Sequence, residues 1–378
     1  MHDAKVSVVI PAYNAASTLD ATLMSVRCQT HENLEAVVVV DGATDATEEI
    51  ARRHSAQDPR VRVLVTENGG VAAARNAGAG ATTGAFIAPI DADDLWHPDR
   101  LRRQLAVFET GGEKMGFVYS PFRVIDMNGD VLFTAPQPNF SGSVFFQIMY
   151  FNFVGNGSGL LIRRAAFDEA GGYEPALRAM RMEGAEDRLI QMLIASRWLV
   201  GVAPDYLIGY RRHPGAMSSN FDRGMRSSMM ALDLVAQRRP KIPVQHLRGA
   251  RAVILVSLSR LRLRAGDVAG ALRAFSEATR TAPGIACIAA TTFILDRWRG
   301  VKRRFGLEPF VGEPFLACDP ALGAQPWPRQ PVCRLIRKLE AEDRALFASR
   351  LPQPSSIARA GLADPVEPPR SRRAQQRA

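Results

Sequence analysis

Short valine-rich runs that recur between amphipathic stretches limit this chain more than any other feature of its amino-terminal part. Val6–Ile10, Ala36–Val40, Val61–Val65 and Ala85–Ile90 are strand-length, and Ser17–Gln29, Thr47–His54 and Val71–Ala79 between them carry helical spacing. Apolar runs of this kind suit strands covered on both faces, and strands alternating with helices build a parallel sheet. The expected fold is α/β, with a mostly parallel central sheet of the nucleotide-binding kind.

The pattern changes near Phe117 to mixed short strands and then to the aromatic-rich Val144–Phe153, which reads as core, followed by the glycine-rich loop Gly155–Gly159. Such a loop can bring backbone N–H groups close to a ligand. Helical periodicity returns from about residue 226 to 280, and Arg264–Phe275, running on to Ala282-Pro283, resembles the second half of a tetratricopeptide-type hairpin. One such unit cannot bury its own face, so it either packs on the α/β body or docks a protein partner.

A formal charge of +10 raises nucleic acid as a partner, but the excess sits late, in residues 297–304 and 350–377. No nucleic-acid partner is expected, and an anionic membrane surface is an equally simple destination for that charge. Cys28, Cys287, Cys318 and Cys333 lack CxxC spacing, which argues against a zinc site and against a disulfide framework and fits a reducing cytoplasm. Pro11 interrupts the first apolar run too soon for a signal peptide. The apolar stretch Gly284–Leu295 is well short of the ~18–20 residues that span a bilayer. The expected location is cytoplasmic, with peripheral contact at the inner face of a membrane.

Asp91, Asp93 and Asp94 follow directly on the apolar run that ends at Ile90. Acids at the carboxyl end of a buried strand lie where open α/β sheets bind ligands. Carboxylates packed this closely repel one another, and a divalent cation with a bound phosphate removes that cost. If the chain stays extended, Asp91 and Asp93 leave on one face and Asp94 on the other. The alternative is a capping role for the helix that begins near Asp99. A second acid, Asp41, ends the run Ala36–Val40, so both loops open on the same edge of the sheet and share one crevice.

Four segments, Val6–Asn14, Val39–Asp45, Gly70–Gly78 and Asp91–Asp94, occur in the order and spacing of family 2 glycosyltransferases with the GT-A fold, which the chain resembles over roughly residues 5 to 215. Glu186-Asp187 and Tyr210–Ser218 continue the likeness. The resemblance implies a metal-dependent, inverting transfer of a sugar from a nucleoside-diphosphate sugar, with a UDP-sugar expected. The acceptor would be a hydroxyl of a glycan or lipid-linked molecule in cell-surface polysaccharide or glycoconjugate assembly. It implies that Asp93, with Asp91 and His213, holds Mn2+ or Mg2+, and that Asp91 and Asp94 support the cation and the donor. Asp41 would bond the base in a pocket lined by Pro11, Ala12 and Tyr13, and Arg75 would sit near the phosphates. Asp187 would be the catalytic base, with Glu186 beside it. Here Val40-Asp41-Gly42-Ala43-Thr44-Asp45 replaces the family's frequent Asp-Asp-Gly-Ser-Thr-Asp.

On their own residues, Glu186 and Asp187 also suit the acidic first turn of a helix, Arg75 an exposed helical face, and His213 a surface position. Two other classes remain open. An inactive nucleotide-sugar-binding scaffold would work through the helical region, and a nucleotidyltransferase would require a glycine- and lysine-rich loop where Pro11–Asn14 stands. The expected organisation is a glycosyltransferase domain over 1–225, with its donor-nucleotide half to about 116 and its acceptor half from 117. A helical region over 226–300, a basic extension over 301–349 and a disordered tail over 350–378 follow it.

Overall fold

A computed structural model describes residues 3–134, 138–213, 221–239, 241–291, 312–321 and 333–349. The segments 297–304 and 350–377, which carry the late positive charge, lie outside the described residues, as do Pro214–Ser218. The amino-terminal part alternates as its valine pattern requires: β1 (Val6–Ala12), α1 (Leu19–Arg27), β2 (Leu34–Asp41), α2 (Thr47–Gln57), β3 (Val61–Thr66), α3 (Val71–Gly80) and β4 (Phe86–Pro89). β2 is buried at every position, whereas in β3, the edge strand, only Val61 is buried and the other residues are half-buried or exposed. Arg62 and Val65 are both exposed, which is why Val61–Val65 reads less continuously than its neighbours.

After β4 come β5 (Leu95–Trp96), α4 (Arg100–Gly111), β6 (Met115–Tyr119), β7 (Phe122–Ile125), β8 (Val131–Thr134) and α5 (Phe145–Tyr150). Then follow β9 (Leu160–Arg163), α6 (Arg164–Ala170), α7 (Ala176–Ala179), α8 (Glu186–Ala195), β10 (Leu199–Val202) and β11 (Ile208–Arg211). The main sheet has seven strands in the order β10-β6-β9-β4-β1-β2-β3, all parallel except β9, which runs against both of its neighbours. A smaller four-stranded sheet, β5-β11-β7-β8, stands beside it. Proline suits the end of β4, since Pro89 has no N–H to extend the ladder, and the chain turns there into the acid loop.

The helices α9 (Phe221–Arg238), α10 (Val244–Arg264) and α11 (Val268–Thr281) follow, with a last described helix over Cys333–Ala348. Asp267 caps α11 by accepting from the Gly270 N–H at 2.8 Å. The tetratricopeptide-like hairpin is α10 with α11, and it packs on the body through α5. One continuous hydrophobic cluster joins Phe117 and Leu160 of the sheet, Phe145–Tyr150 of α5, Leu189–Ala195 of α8, Ala250–Val256 of α10 and Leu339. The aromatics of Val144–Phe153 are core, as their composition indicates.

Candidate active site

The carboxyl ends of β1, β2 and β4 open on one cleft of about 920 Å3. Its walls include Pro11, Ala12 and Tyr13 after β1, Asp41 at the end of β2, Arg75 on α3, and Asp91 and Asp93 after β4. The Gly155–Gly157 loop and Glu186, Asp187 and His213 from the acceptor half close the other side. The common crevice expected for the two acid-bearing loops is present.

The acid loop is not extended. Asp94 N donates to Asp91 O at 3.1 Å, so the chain turns and brings oxygens of Asp91, Asp93 and Asp94 within 4.8 Å of one another. This corrects the expectation that Asp94 would leave on the opposite face. The reason lies in two polar groups that draw its carboxylate inward: Ser158 Oγ donates at 2.5 Å and Arg211 N at 2.9 Å. Asp94 is fully buried and thereby ties the acid loop to the glycine-rich loop and to β11. Burial, joined by repulsion from Asp93 and Asp91, holds its carboxyl well above the usual range. Ser158 Oγ also accepts from Asp91 N at 3.0 Å, fixing the loop from its other end. The capping alternative fails on the helix itself, because the residue before α4 is Asp99 and makes no side-chain cap.

Asp91 and Asp93 face the cleft. His213 Nε2 lies 3.2 Å from Asp93 Oδ2, so the histidine reaches the acid cluster. Burial and then the Asp91 charge raise the Asp93 carboxyl, while His213 opposes them. Two half-open carboxylates and an imidazole nitrogen facing one space form a donor set suited to a hard divalent cation. The raised proton affinity of Asp93 is a cost that such a cation would remove.

Arg75 is 2% exposed, which rules out the exposed-helix alternative. Its Nη2 donates to Asp91 Oδ1 at 2.6 Å and its Nη1 to Asp187 Oδ1 at 2.8 Å. One guanidinium thus bridges the acid cluster and the carboxylate in the first turn of α8. Burial pulls the Arg75 pKa down, but Asp187 and Asp91 outweigh it and hold the arginine well above its ordinary value. The Asp187 side chain is 25% open to the cleft. Burial nevertheless pushes it up to about 7, since Asp91 and Glu186 add repulsion that the neighbouring Arg75 only partly offsets. A carboxylate titrating near neutrality at a cleft wall is suited to taking a proton.

Glu186 is buried, with both carboxylate oxygens accepting from Gly184 N at 3.0 and 2.9 Å, so it fixes the entry to α8. Asp41 accepts from Gly69 N at 2.7 Å and Gly70 N at 2.9 Å, locking the loop ahead of α3 while lining the cleft. Tyr13 is 55% exposed at the mouth.

Sequence reasoning missed Ser158, although it singled out the loop around it, and gave no role to Gly157. A Cβ on Gly157 would stand 2.6 Å from Asp187 Oδ1, so the carboxylate rests on bare backbone. The Asn156-Gly157-Ser158-Gly159 run was the available signal, and glycine between two polar residues is too common to identify the contact.

Comparison with known proteins gives a consistent picture. Residues 7–171 match the family described as Glycosyl transferase family 2. A Rickettsia felis protein named as an uncharacterised glycosyltransferase is 36% identical over 149 residues, 39% of this chain and 24% of its own length. The UDP-Glc:alpha-D-GlcNAc-diphosphoundecaprenol beta-1,3-glucosyltransferase WfgD of Escherichia coli is 35% identical over 139 residues, 36% of this chain and 53% of its own length. The chain thus spans about a quarter of the Rickettsia protein and half of the Escherichia one. Among solved structures, the mannosyltransferase PcManGT from Pyrobaculum calidifontis in complex with GDP-Man and Mn2+ has a TM-score of 0.53 at 22% identity, covering 79% of this chain and 82% of that one. S. aureus TarS 1-349 has a TM-score of 0.52 at 18% identity, covering 81% and 93%. These two likenesses are likenesses of fold.

Proposed function

We propose, for a chain whose residues 7–171 match glycosyl transferase family 2, that it moves a sugar from a nucleoside-diphosphate sugar to an acceptor hydroxyl with inversion at the anomeric carbon. The observation that carries this reading is the Arg75 bridge, which sets the acid cluster and the Asp187 carboxylate on opposite ends of one guanidinium inside one cleft. A transfer of this kind needs its donor phosphates and its acceptor base close together in one space, which is what this bridge supports.

In this reading Asp187 Oδ takes the proton of the acceptor hydroxyl. The acceptor oxygen then bonds to the anomeric carbon as that carbon's bond to the diphosphate oxygen breaks, and the nucleoside diphosphate leaves with the bonding pair. Asp41, Pro11, Ala12 and Tyr13 bind the base, with a uridine diphosphate sugar as the donor. Asp91, Asp93 and His213 would hold a divalent cation, Mn2+ or Mg2+, which when bound supplies Lewis-acid stabilisation of the departing diphosphate. Asp94 keeps the acid loop in place, and Glu186 keeps Asp187 at the head of α8.

The acceptor is a hydroxyl of a glycan or of a lipid-linked molecule in cell-surface polysaccharide or glycoconjugate assembly. No described helix is long and apolar enough to cross a membrane. The charge of +10 supports peripheral contact with anionic lipid on the cytoplasmic side, and the hairpin of α10 and α11 is a surface for a protein partner. The test is thermal stability of the purified protein against nucleoside diphosphates and nucleotide sugars, with and without Mn2+, for wild type and Asp93→Ala. A ligand of the folded state raises the midpoint by mass action. A metal-dependent rise with a uridine nucleotide, lost in Asp93→Ala, is expected. No rise with any nucleotide in folded protein would refute the reading.

A further inference from the structure

We propose that Asn76, Gly172 and Tyr173 form a clamp that positions the Arg75 guanidinium, and through it Asp187, for the transfer step. The inference rests on the reading of Asp187 as the base, and adds to it three positioning residues outside the donor and metal sites.

Arg75 and Asn76 are consecutive on α3, and the second holds what packs on the first. Asn76 Nδ2 donates to Tyr173 O at 2.9 Å and Asn76 Oδ1 accepts from Tyr173 N at 2.9 Å, so a side-chain amide pairs both backbone groups of one residue. That approach needs glycine before the tyrosine. Gly172 has φ +71, and a Cβ there would fall 2.8 Å from Asn76 Oδ1. With its backbone fixed, the Tyr173 ring is set 5.0 Å from Arg75 Cζ, and Phe167 packs on the ring at 5.8 Å between centroids.

The polar partners of Arg75 leave a gap that this ring fills. Its two terminal nitrogens bond Asp187 and Asp91, but Nε is buried with no hydrogen-bond partner among the described residues. Among the described residues no third polar contact supports the guanidinium, and the face of the ring adds to those two bonds by packing and cation–π attraction. The Tyr173 hydroxyl does not contribute by bonding, because Oη is itself buried without a partner among the described residues. The useful part of the residue is its ring. Misplacing a base by about 1 Å costs on the order of 10²-fold in rate, so a device that holds Arg75 in register acts on turnover and not on donor affinity.

The test compares Tyr173→Phe, Tyr173→Leu, Asn76→Ala and Asn76→Asp in release of UDP from a UDP-sugar with Mn2+, alongside the thermal shift given by UDP and Mn2+. Tyr173→Phe is expected within about twofold of wild type, because the ring remains. Tyr173→Leu and Asn76→Ala are expected to lose about tenfold or more in kcat with little change in donor KM or in the UDP shift. Asn76→Asp, which keeps the acceptor for Tyr173 N, is expected to recover part of the loss. Equal loss in the Phe and Leu variants, a change in KM alone, or failure of the Leu and Ala variants to fold would overturn the clamp in favour of a purely structural contact.

A second measurement does not require turnover. In thermal denaturation, Asp187→Ala combined with Tyr173→Leu is expected to lower the midpoint by less than the two single losses together, since both act on Arg75. Additive losses would overturn the clamp even if no UDP-sugar proves to be a donor.

Discussion

Arg75 sits under a ring and between two carboxylates, and each contact comes from a different part of the chain. Asp91 follows β4, Asp187 opens α8 and Tyr173 lies between α6 and α7. At this scale Gly157 gives a sharp prediction. Gly157→Ala would drive a methyl group to within 2.6 Å of Asp187 Oδ1, so the carboxylate must move. Turnover is expected to fall by about 10²-fold while the UDP and Mn2+ thermal shift persists, as measured by UDP release against melting midpoint. Unchanged turnover would mean that the carboxylate is free to shift. The cleft-facing acids were legible from sequence because charge at a strand end is costly without a ligand. The supporting contacts were not. Ser158, Asn76 and Gly172 act through hydrogen bonds and close approaches between segments far apart in the chain, and no local pattern records those. The inward turn of Asp94 was hidden for the same reason, since Ser158 and Arg211 draw it from other elements.

Among elements, the alternation of β1 to β4 with α1 to α3 was readable almost residue for residue, because burial on both faces demands nearly continuous apolar runs. The antiparallel β9 and the small second sheet were not foreseen in detail, since short strands of four residues carry too little pattern. The docking of the Cys333–Ala348 helix on α5 was likewise invisible. Asp343 Oδ1 accepts from Phe146 N at 2.8 Å, and burial pushes that carboxyl up to about 8. The sign follows from linkage. The unfolded acid titrates near 3.8, so the folded state retains a proton that the unfolded chain has lost, and the stability this contributes falls as pH rises through about 8. Nearby His246 is pulled below its usual 6.5 by burial, so it loses its proton at a lower pH than Asp343 does. Between pH ~7 and ~9 the wild type is therefore expected to lose more stability in denaturant titrations than Asp343→Asn, which cannot ionise. Parallel losses would place the ionised carboxylate comfortably at the α5 amino terminus.

For the whole molecule, the shared core from the sheet through α8 to α10 makes the helical region part of the body that carries the cleft. The expected attachment to anionic lipid is checked by vesicle sedimentation. Vesicles containing phosphatidylserine are expected to retain more protein than neutral vesicles, and to release it as salt rises. Equal retention on both would remove the membrane from the account. The central claim, that Asp187 is the base of a transfer whose donor sits against the acid loop, is tested most directly by UDP release from a UDP-sugar with Mn2+ across pH, for wild type and Asp187→Asn. Wild-type turnover is expected to rise with pH through about 7, where the Asp187 carboxyl ionises, and then level off. Asp187→Asn is expected to lose about 10²–10⁴-fold with its UDP thermal shift intact. An Asp187→Asn protein that turns over like wild type with the same pH profile would contradict the account.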